Sequence, residues 1–524
     1  METITEFLTP ERSGAVLAAL KGLFYASTLG FAAFVLATSL RLRGATARRR
    51  KLGLVPVLFA AALAAIIAYQ ATWQLAGFTR REFVRFMERH DPRHDKAAGR
   101  IVRGKIFDRK GRVLAESTRE MSNFRVYPYA EAAAHIVGFR HPSEGLTGVE
   151  NALDGILSGY LSDQKESIKE ARRLALKKDR RVGDNVILTI DAELQRAAYE
   201  LMKDKKGAVV GIDPRDGAIR LLVSTPSFDP NTYKRVLNID PDSPLLNRAL
   251  HGRYPAGSTF KTAIAGLAVD AGKAAPLDCP PAGYYAPGAR RPIRDHEYYE
   301  YERKGLVWGG FGAPLDLDTA LAKSSNTYFA HAGVLSGTDA FNELAERLKF
   351  NERLTLCATP FGAVTSQRGS LPKLGRGERR ELSQLSIGQG RMLATPLHLA
   401  LLTAAIANNG RMPAPRVVET DEPALLSQAF KPETAVRVKR AMRKVVTSGT
   451  ARKADIAGLE IYAKTGTAQN PGGADHAWFI CFATPKNAPP LALAVLVENA
   501  GFGSTAALPV AVEILRAHYG IGKE

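Results

Sequence analysis

The chain has 524 residues, 72 Lys and Arg against 52 Asp and Glu, and a hydrophobic fraction of 45%. That length and an ordinary charged fraction fit about two to four folded units, and exclude a disordered, collagenous or low-complexity protein. The net charge of +20 raises nucleic acid as a partner, but no aromatic-interleaved basic stripe or paired His/Cys finger accompanies it, so no nucleic-acid role is expected.

Six of the positive charges, Arg41, Arg43, Arg48, Arg49, Arg50 and Lys51, fall in one stretch without an acid. Residues 22–40 and 52–78 flank it, and neither run carries a charge. At about 1.5 Å per residue, each is long enough to span a hydrocarbon core of about 30 Å. Glu2, Glu6 and Glu11 precede the first run, where a signal peptide requires basic residues. The expectation is two membrane helices joined by a cytoplasmic basic loop at 41–51. The tail 1–21 and everything beyond residue 78 then lie outside the cytoplasm. The whole chain would sit in the cell (inner) membrane, its bulk extracytoplasmic or periplasmic.

Residues 79–99 read as a polar stalk. Short strand-like runs follow, among them Gly104-Lys105-Ile106-Phe107 and Asn123-Phe124-Arg125-Val126-Tyr127, with Asp108-Arg109-Lys110-Gly111 as a turn. Stalk and small domain together occupy 79–183, ending in a basic helical stretch at 165–181. A larger domain, 184–524, begins with Val186-Ile187-Leu188-Thr189-Ile190-Asp191 as a strand, and Asp191 caps the helix starting at Ala192. The runs 207–212 and 218–224 form a hairpin about Asp213-Pro214-Arg215-Asp216-Gly217. After several helices come strands at 462–465, 478–483 and 491–497, then a closing helix at 509–518. Strands at both ends with helices between predict an α+β fold, one antiparallel sheet covered by helices.

The chain holds three cysteines, too few for a disulfide scaffold or a four-thiolate zinc site. Cys279 and Cys357 pair, or all three thiols stay reduced. Cys481 sits in the apolar run Trp478-Phe479-Ile480-Cys481-Phe482 and reads as a buried strand residue. Cys279, Asp295 and His296 have irregular spacing for a zinc site, and no metal is expected.

Three motifs carry chemistry. Pro255-Ala256-Gly257-Ser258-Thr259-Phe260-Lys261 opens a helix and puts Ser258 and Lys261 on one face of its first turn. A serine hydroxyl is a weak nucleophile until a base takes its proton, and a neutral lysine amine one turn away can do so. Ser324-Ser325-Asn326 offers a hydroxyl for proton relay and an amide for a carbonyl or for the lysine. Lys464-Thr465-Gly466-Thr467 reads as an edge strand with a cation and two hydroxyls for a carboxylate. Gly466 would leave room for an extended peptide. Each motif alone is weak: the default readings are a capping serine with a surface lysine, a polar loop and a Gly-containing strand end.

Together, in this order, the motifs resemble those of class B penicillin-binding proteins, the peptidoglycan D,D-transpeptidases. Arg103-Gly104-Lys105-Ile106-Phe107-Asp108-Arg109 and Gly148-Val149-Glu150-Asn151-Ala152 are similar to that family's pedestal stretches. Ile387-Gly388-Gln389-Gly390 with Thr395-Pro396-Leu397 resembles its helical region beside the cleft. His476-Ala477-Trp478-Phe479 resembles the strand after the Lys-Thr-Gly motif, with a structural role expected for His476. The resemblance implies a serine β-lactamase/penicillin-binding transpeptidase-like domain at 184–524 on a small pedestal domain, behind N-terminal transmembrane helices. It departs from the family in having two spans rather than one, and in a short pedestal.

The resemblance further implies catalysis by Ser258, Lys261, Ser324 and Asn326. Substrate would be bound by Lys464, Thr465, Gly466 and Thr467. No cofactor is implied. The expected partners are peptidoglycan stem peptides, β-lactams, the membrane and a separate SEDS-type peptidoglycan glycosyltransferase. Two alternatives remain: a membrane-anchored D,D-carboxypeptidase or β-lactamase, in which water resolves the acyl-enzyme, and a catalytically dispensable β-lactam sensor or scaffold. The pedestal-like segment favours the transpeptidase. An eleven-residue cytoplasmic loop is too small for a sensor's effector.

Overall fold

The computed structural model describes residues 101–117, 125–141, 144–159, 181–232, 240–470, 472–485 and 487–522, all within one compact unit, Asp95–Glu524. The tail, both apolar runs, the basic loop, the stalk at 79–99 and the basic stretch up to residue 180 lie outside the described residues. Among the described residues no helix is long and apolar enough to cross a membrane.

The first part is a small four-stranded sheet. Its strands are β1 (Ile106–Phe107), β2 (Val113–Ser117), β3 (Arg125–Val126) and β4 (Val186–Ile187), in the order β3-β2-β1-β4. The turn between β1 and β2 forms because the Asp108 carboxylate accepts from the backbone N–H groups of Lys110 and Arg112, both at 2.8 Å. Its other oxygen accepts from Ala192 N at 3.1 Å, tying the turn to the next domain. Helices α1 (Ala130–Val137) and α2 (Gly148–Ala152) pack against each other, and α1 also touches β2.

A buried charge cluster joins these pieces. Glu150 on α2 accepts from Arg103 Nε and from Arg125 Nε, each at 2.7 Å, and all three side chains are almost wholly buried. Arg103 also reaches Ser158 Oγ at 2.8 Å and the Asp154 carboxylate. Burial by itself would raise the Glu150 pKa; the two guanidiniums overcome it and hold the carboxyl below its ordinary value.

The larger part is built on a five-stranded antiparallel sheet. Helix α3 (Ala192–Met202) leads in, capped by Asp191, whose carboxylate accepts from Leu194 N. Strands β5 (Gly207–Ile212) and β6 (Ile219–Thr225) make the expected hairpin. The helices that follow include α4 (Lys261–Asp270), α5 (Leu317–Lys323), α6 (Asn326–Ser336), α7 (Pro396–Ala407) and α8 (Pro432–Ser448). Strands β7 (Ile461–Ala468), β8 (His476–Ala483) and β9 (Leu491–Val497) then complete the sheet in the order β6-β5-β9-β8-β7, and α9 (Gly503–Tyr519) closes the chain.

Every residue of β5, β6, β8 and β9 is buried. Continuous apolar runs, rather than alternation, mark strands covered on both faces. Helices α3 and α9 pack together on the sheet, and α7 and α8 pack on it as a separate pair. Strand β7 therefore sits at an edge, beside α8.

Two details differ from the sequence reading, and the cysteines follow one of its two alternatives. The strand expected over 186–191 ends at Ile187, because Leu188 leaves it to pair with Val418. The closing helix begins six residues before Pro509, which lies inside it. All three cysteines are free and buried, Cys481 within β8.

Glu150→Ala would strand two buried guanidiniums without an anion, a loss of about 3–5 kcal/mol. A thermal melt should show a large fall for this variant, and an unchanged melting temperature would deny the cluster its structural role. The same carboxyl makes stability pH-dependent. Its native pKa lies below the unfolded value, so its contribution is present above the ordinary carboxylate range and fades as pH falls through the native value.

Candidate active site

Ser258 lies half-exposed in a 3-10 turn, Gly257–Phe260, that runs straight into α4, whose first residue is Lys261. Two outside contacts fix the turn. Gly257 N donates to Gly388 O at 2.9 Å, and Trp478 Nε1 on β8 donates to Pro255 O at 3.0 Å. Gly388 has φ of +74°, and a Cβ there would stand 1.9 Å from Gly257 O, so only glycine permits this approach.

Ser324 ends α5 in the left-handed region, at φ +59°. For a non-glycine residue that conformation costs about 1–2 kcal/mol. Its neighbour Ser325 caps α6 by accepting from Tyr328 N at 3.1 Å, which places Asn326 at the first position of α6. The strained serine thus sits between two helices, with carbonyl and hydroxyl both turned to lysines.

Lys261 Nζ lies 2.6 Å from Ser324 O, 2.7 Å from Asn326 Oδ1 and 3.4 Å from Ser324 Oγ. Lys464 Nζ, from β7, lies 2.8 Å from Ser324 Oγ and 2.8 Å from Thr465 O. Both lysine side chains are fully buried. Burial lowers the Lys261 pKa to about 7, partly offset by the Asp295 and Glu297 carboxylates. Burial lowers the Lys464 pKa well below its ordinary value, with the Lys261 charge adding to the effect. Two ammonium groups sharing one serine in a dry site cannot both stay protonated near neutrality, and they titrate as a pair.

The hydrogen bonds are compatible with a neutral amine. A neutral amine has two N–H groups and one lone pair. Lys261 makes its two short contacts to Ser324 O and Asn326 Oδ1, oxygens that only accept. Its lone pair is then left to take a proton. The Asn326 amide is oriented for this, because its Nδ2 donates to Arg294 O at 2.9 Å.

In β7, the Thr465 hydroxyl is paired with Thr450 Oγ1 at 2.7 Å, and Thr467 is half-exposed. Gly466 has a role the sequence did not suggest. A Cβ there would meet Thr259 Cγ2 at 2.7 Å and Trp478 Cβ at 2.9 Å. The missing side chain makes room for the turn carrying Ser258, rather than for an extended peptide.

The structure thus brings Lys261, Ser324, Asn326 and Lys464 into one hydrogen-bonded cluster. Thr465 to Thr467 run along the adjoining strand, and Ser258 lies in the turn beside it. It also adds a residue that motif reading missed. Asp295 is buried, and its Oδ1 accepts from the backbone N–H groups of Asn326 and Thr327, holding the start of α6. The sequence offered only an Asp-His pair that suggested metal. His296 is exposed, pairs with Glu300 at 3.3 Å and meets the Phe502 ring edge-on. Among the described residues no cluster of three or more His, Cys, Asp or Glu side chains is present to hold a metal. His476 accepts from Asn499 N at 3.2 Å and packs edge-on against Tyr254.

Comparisons with known proteins agree on one family. The penicillin binding protein transpeptidase domain matches residues 207–518, and the penicillin binding protein A dimerisation domain matches 103–186. The peptidoglycan D,D-transpeptidase PbpA of Mycolicibacterium smegmatis is 33% identical over 457 residues, covering 79% of this chain and 88% of that protein. The peptidoglycan D,D-transpeptidase MrdA of Haemophilus influenzae is 30% identical, covering 75% of this chain and 68% of that protein. Among solved structures, the ceftriaxone acyl-enzyme complex of penicillin-binding protein A from M. tuberculosis superposes with a TM-score of 0.69 at 30% identity, covering 81% of this chain and 99% of that one.

Gly466→Ala should force Thr259 and Trp478 apart, at a cost of about 1–3 kcal/mol, and displace the Ser258 turn. A lowered melting temperature together with slower acylation by an active-site probe is the expected pair of results. A variant that matches wild type in both would show that the contact is not strained.

Proposed function

The chain belongs to the penicillin-binding protein transpeptidase family, and from that membership and the geometry above we propose that it is a peptidoglycan D,D-transpeptidase working through a serine acyl-enzyme. The observation that carries the mechanism is the buried Lys261 amine, with both N–H groups committed to carbonyl oxygens and its pKa lowered to about 7.

Ser258 Oγ attacks the penultimate D-Ala carbonyl of a stem pentapeptide, and its proton passes to Lys261. The developing oxyanion is held by the backbone N–H groups of Ser258 and Thr467, each such donor being worth about 2.7–4 kcal/mol. When the amide C–N bond breaks, the leaving D-Ala amine takes a proton through Ser324, whose hydroxyl lies within reach of both lysines. The amine of a neighbouring stem peptide then attacks the ester. A new amide forms, and Ser258 Oγ recovers its proton. Lys464, Thr465 and Thr467 bind the terminal carboxylate of the donor. Asn326 holds Lys261 in place.

A β-lactam follows the same first step and stops at the ester. The M. tuberculosis relative, solved as an acyl-enzyme with ceftriaxone, supports the ester, and the relatives PbpA and MrdA are named peptidoglycan D,D-transpeptidases. This favours the transpeptidase over the hydrolytic alternatives.

The placement in the cell rests on sequence: two uncharged runs, 22–40 and 52–78, about a basic loop support two N-terminal spans with the catalytic part extracytoplasmic. A SEDS-type peptidoglycan glycosyltransferase is the proposed partner, since the reaction joins stem peptides of strands that another enzyme must polymerise.

Fluorescent penicillin should label the wild-type protein, and Ser258→Ala should take none; label on the variant, or none on the wild type, would end this reading. The labelling rate should rise with pH to a plateau, with a midpoint near 7, because Lys261 must lose its proton before it can accept one. A rate flat across that range would remove Lys261 as the base.

A further inference from the structure

A second site is built from segments on both sides of the catalytic turn in sequence, and no motif in the chain announces it. Three chain segments wall a cleft of about 600 Å³ lined by His251, Arg253, Asn351, Arg353, Gln367 and Arg368. The walls are braced. Gln367 N donates to Leu250 O at 2.8 Å, and His251 Nε2 lies 3.0 Å from Thr365 O. The Asn351 amide is tied to the Leu371 backbone at 2.8 and 2.9 Å. Tyr254, next to Arg253, pairs with Ala394, and Pro255 is held by Trp478. The cleft is thus part of the rigid frame leading to Ser258.

Its charge is unbalanced. Several arginines elsewhere in the described part meet acids, for example Arg248 with Glu498, Arg391 with Glu378 and Glu381, and Arg443 with Asp455. Among the described residues none of the exposed Arg253, Arg353 and Arg368 has such a partner, and Glu352, next to Arg353 in the chain, pairs with Lys349 at 3.0 Å. Three guanidiniums around one concave space give it a net positive charge that its lining does not balance, and an anion would be attracted there, less so at high salt.

We propose that this cleft binds a diphosphate-type oxyanion, separately from the acylation site. A guanidinium fork grips oxyanions in pairs of N–H···O bonds, and one carboxylate would satisfy only one of three forks. A diphosphate carries enough charge and oxygens for all three. The volume falls within the range of roughly 300–1,000 Å³ typical of small-molecule sites, larger than a lone phosphate fills. The lining is polar throughout, so the recognised part is the phosphate head, whether free in solution or borne on a lipid.

The test uses the full-length protein in neutral detergent, titrated calorimetrically with inorganic pyrophosphate and with farnesyl pyrophosphate. One site per chain is expected, weakening as salt rises. Affinity should fall at least about tenfold in Arg353→Gln/Arg368→Gln, as expected when charged hydrogen bonds are lost. Fluorescent-penicillin labelling of that variant should match wild type, confirming its fold; if labelling falls, the single Arg368→Gln variant is used. Binding of both ligands, with pyrophosphate displacing the farnesyl compound, identifies the phosphate alone as the determinant. Binding of the farnesyl compound only, lost in the variant, identifies a lipid-borne head. No binding by wild type, or equal binding by wild type and variant, overturns the proposal, the latter placing the anion elsewhere, such as on the basic stretch 41–51.

Discussion

Two buried lysines on one serine are the constraint around which the catalytic part is arranged. Alone, a fully buried ammonium is expensive, and two of them near one hydroxyl are more so. The fold does not neutralise Lys464 with a carboxylate; its contacts are Ser324 Oγ and Thr465 O. For Lys261 the Asp295 and Glu297 carboxylates act from outside its hydrogen-bond shell. They soften the effect of burial without capturing the amine. The balance leaves Lys261 near 7, where a base is strong enough to take a serine proton and is free of one of its own in about half the molecules at neutral pH.

Holding that arrangement requires strain and close packing at places far apart in the chain. Ser324 is kept in a left-handed conformation because its carbonyl faces Lys261 and its hydroxyl faces Lys464. A glycine would relieve the backbone and lose the hydroxyl. The Ser258 turn is clamped between Gly388 on one side and β7 on the other, and at both contacts a single methyl group would not fit. Asp295 pins the start of α6, so Asn326 cannot drift from Lys261 without breaking two backbone hydrogen bonds. Strain is tolerated at such sites when the surrounding structure over-determines it.

Much of this was readable from sequence, for a physical reason. Strands β8 and β9 are buried on both faces, so their apolar runs are unbroken and conspicuous. The β5–β6 hairpin was announced by Asp213, Pro214 and Gly217. The three motifs were visible because acyl transfer limits which side chains can serve. What the sequence hid depends on tertiary contact. Nothing in Ser324 signals a positive φ. Gly466 was read as space for a peptide, and only the position of Thr259 shows what fills it. Asp295 looked like half of a metal site, since a backbone N–H partner some 30 residues away leaves no local mark. Leu188 leaves its strand because Val418 offers a partner that only the fold supplies.

The same reasoning separates the two buried charge clusters. Around Glu150, two guanidiniums and one carboxylate are matched oxygen to nitrogen, and the carboxyl is driven toward its charged form. Around Ser324, two amines meet only neutral oxygens, and burial drives them toward their uncharged form. Burial is equally complete in both, so desolvation does not distinguish them. The partner's charge does. Matched charge at the pedestal locks helix α2 to its sheet and gives it no chemistry to perform. Unmatched charge at the catalytic turn stores a lone pair on Lys261, three residues after Ser258, and that difference makes one cluster structural and the other reactive.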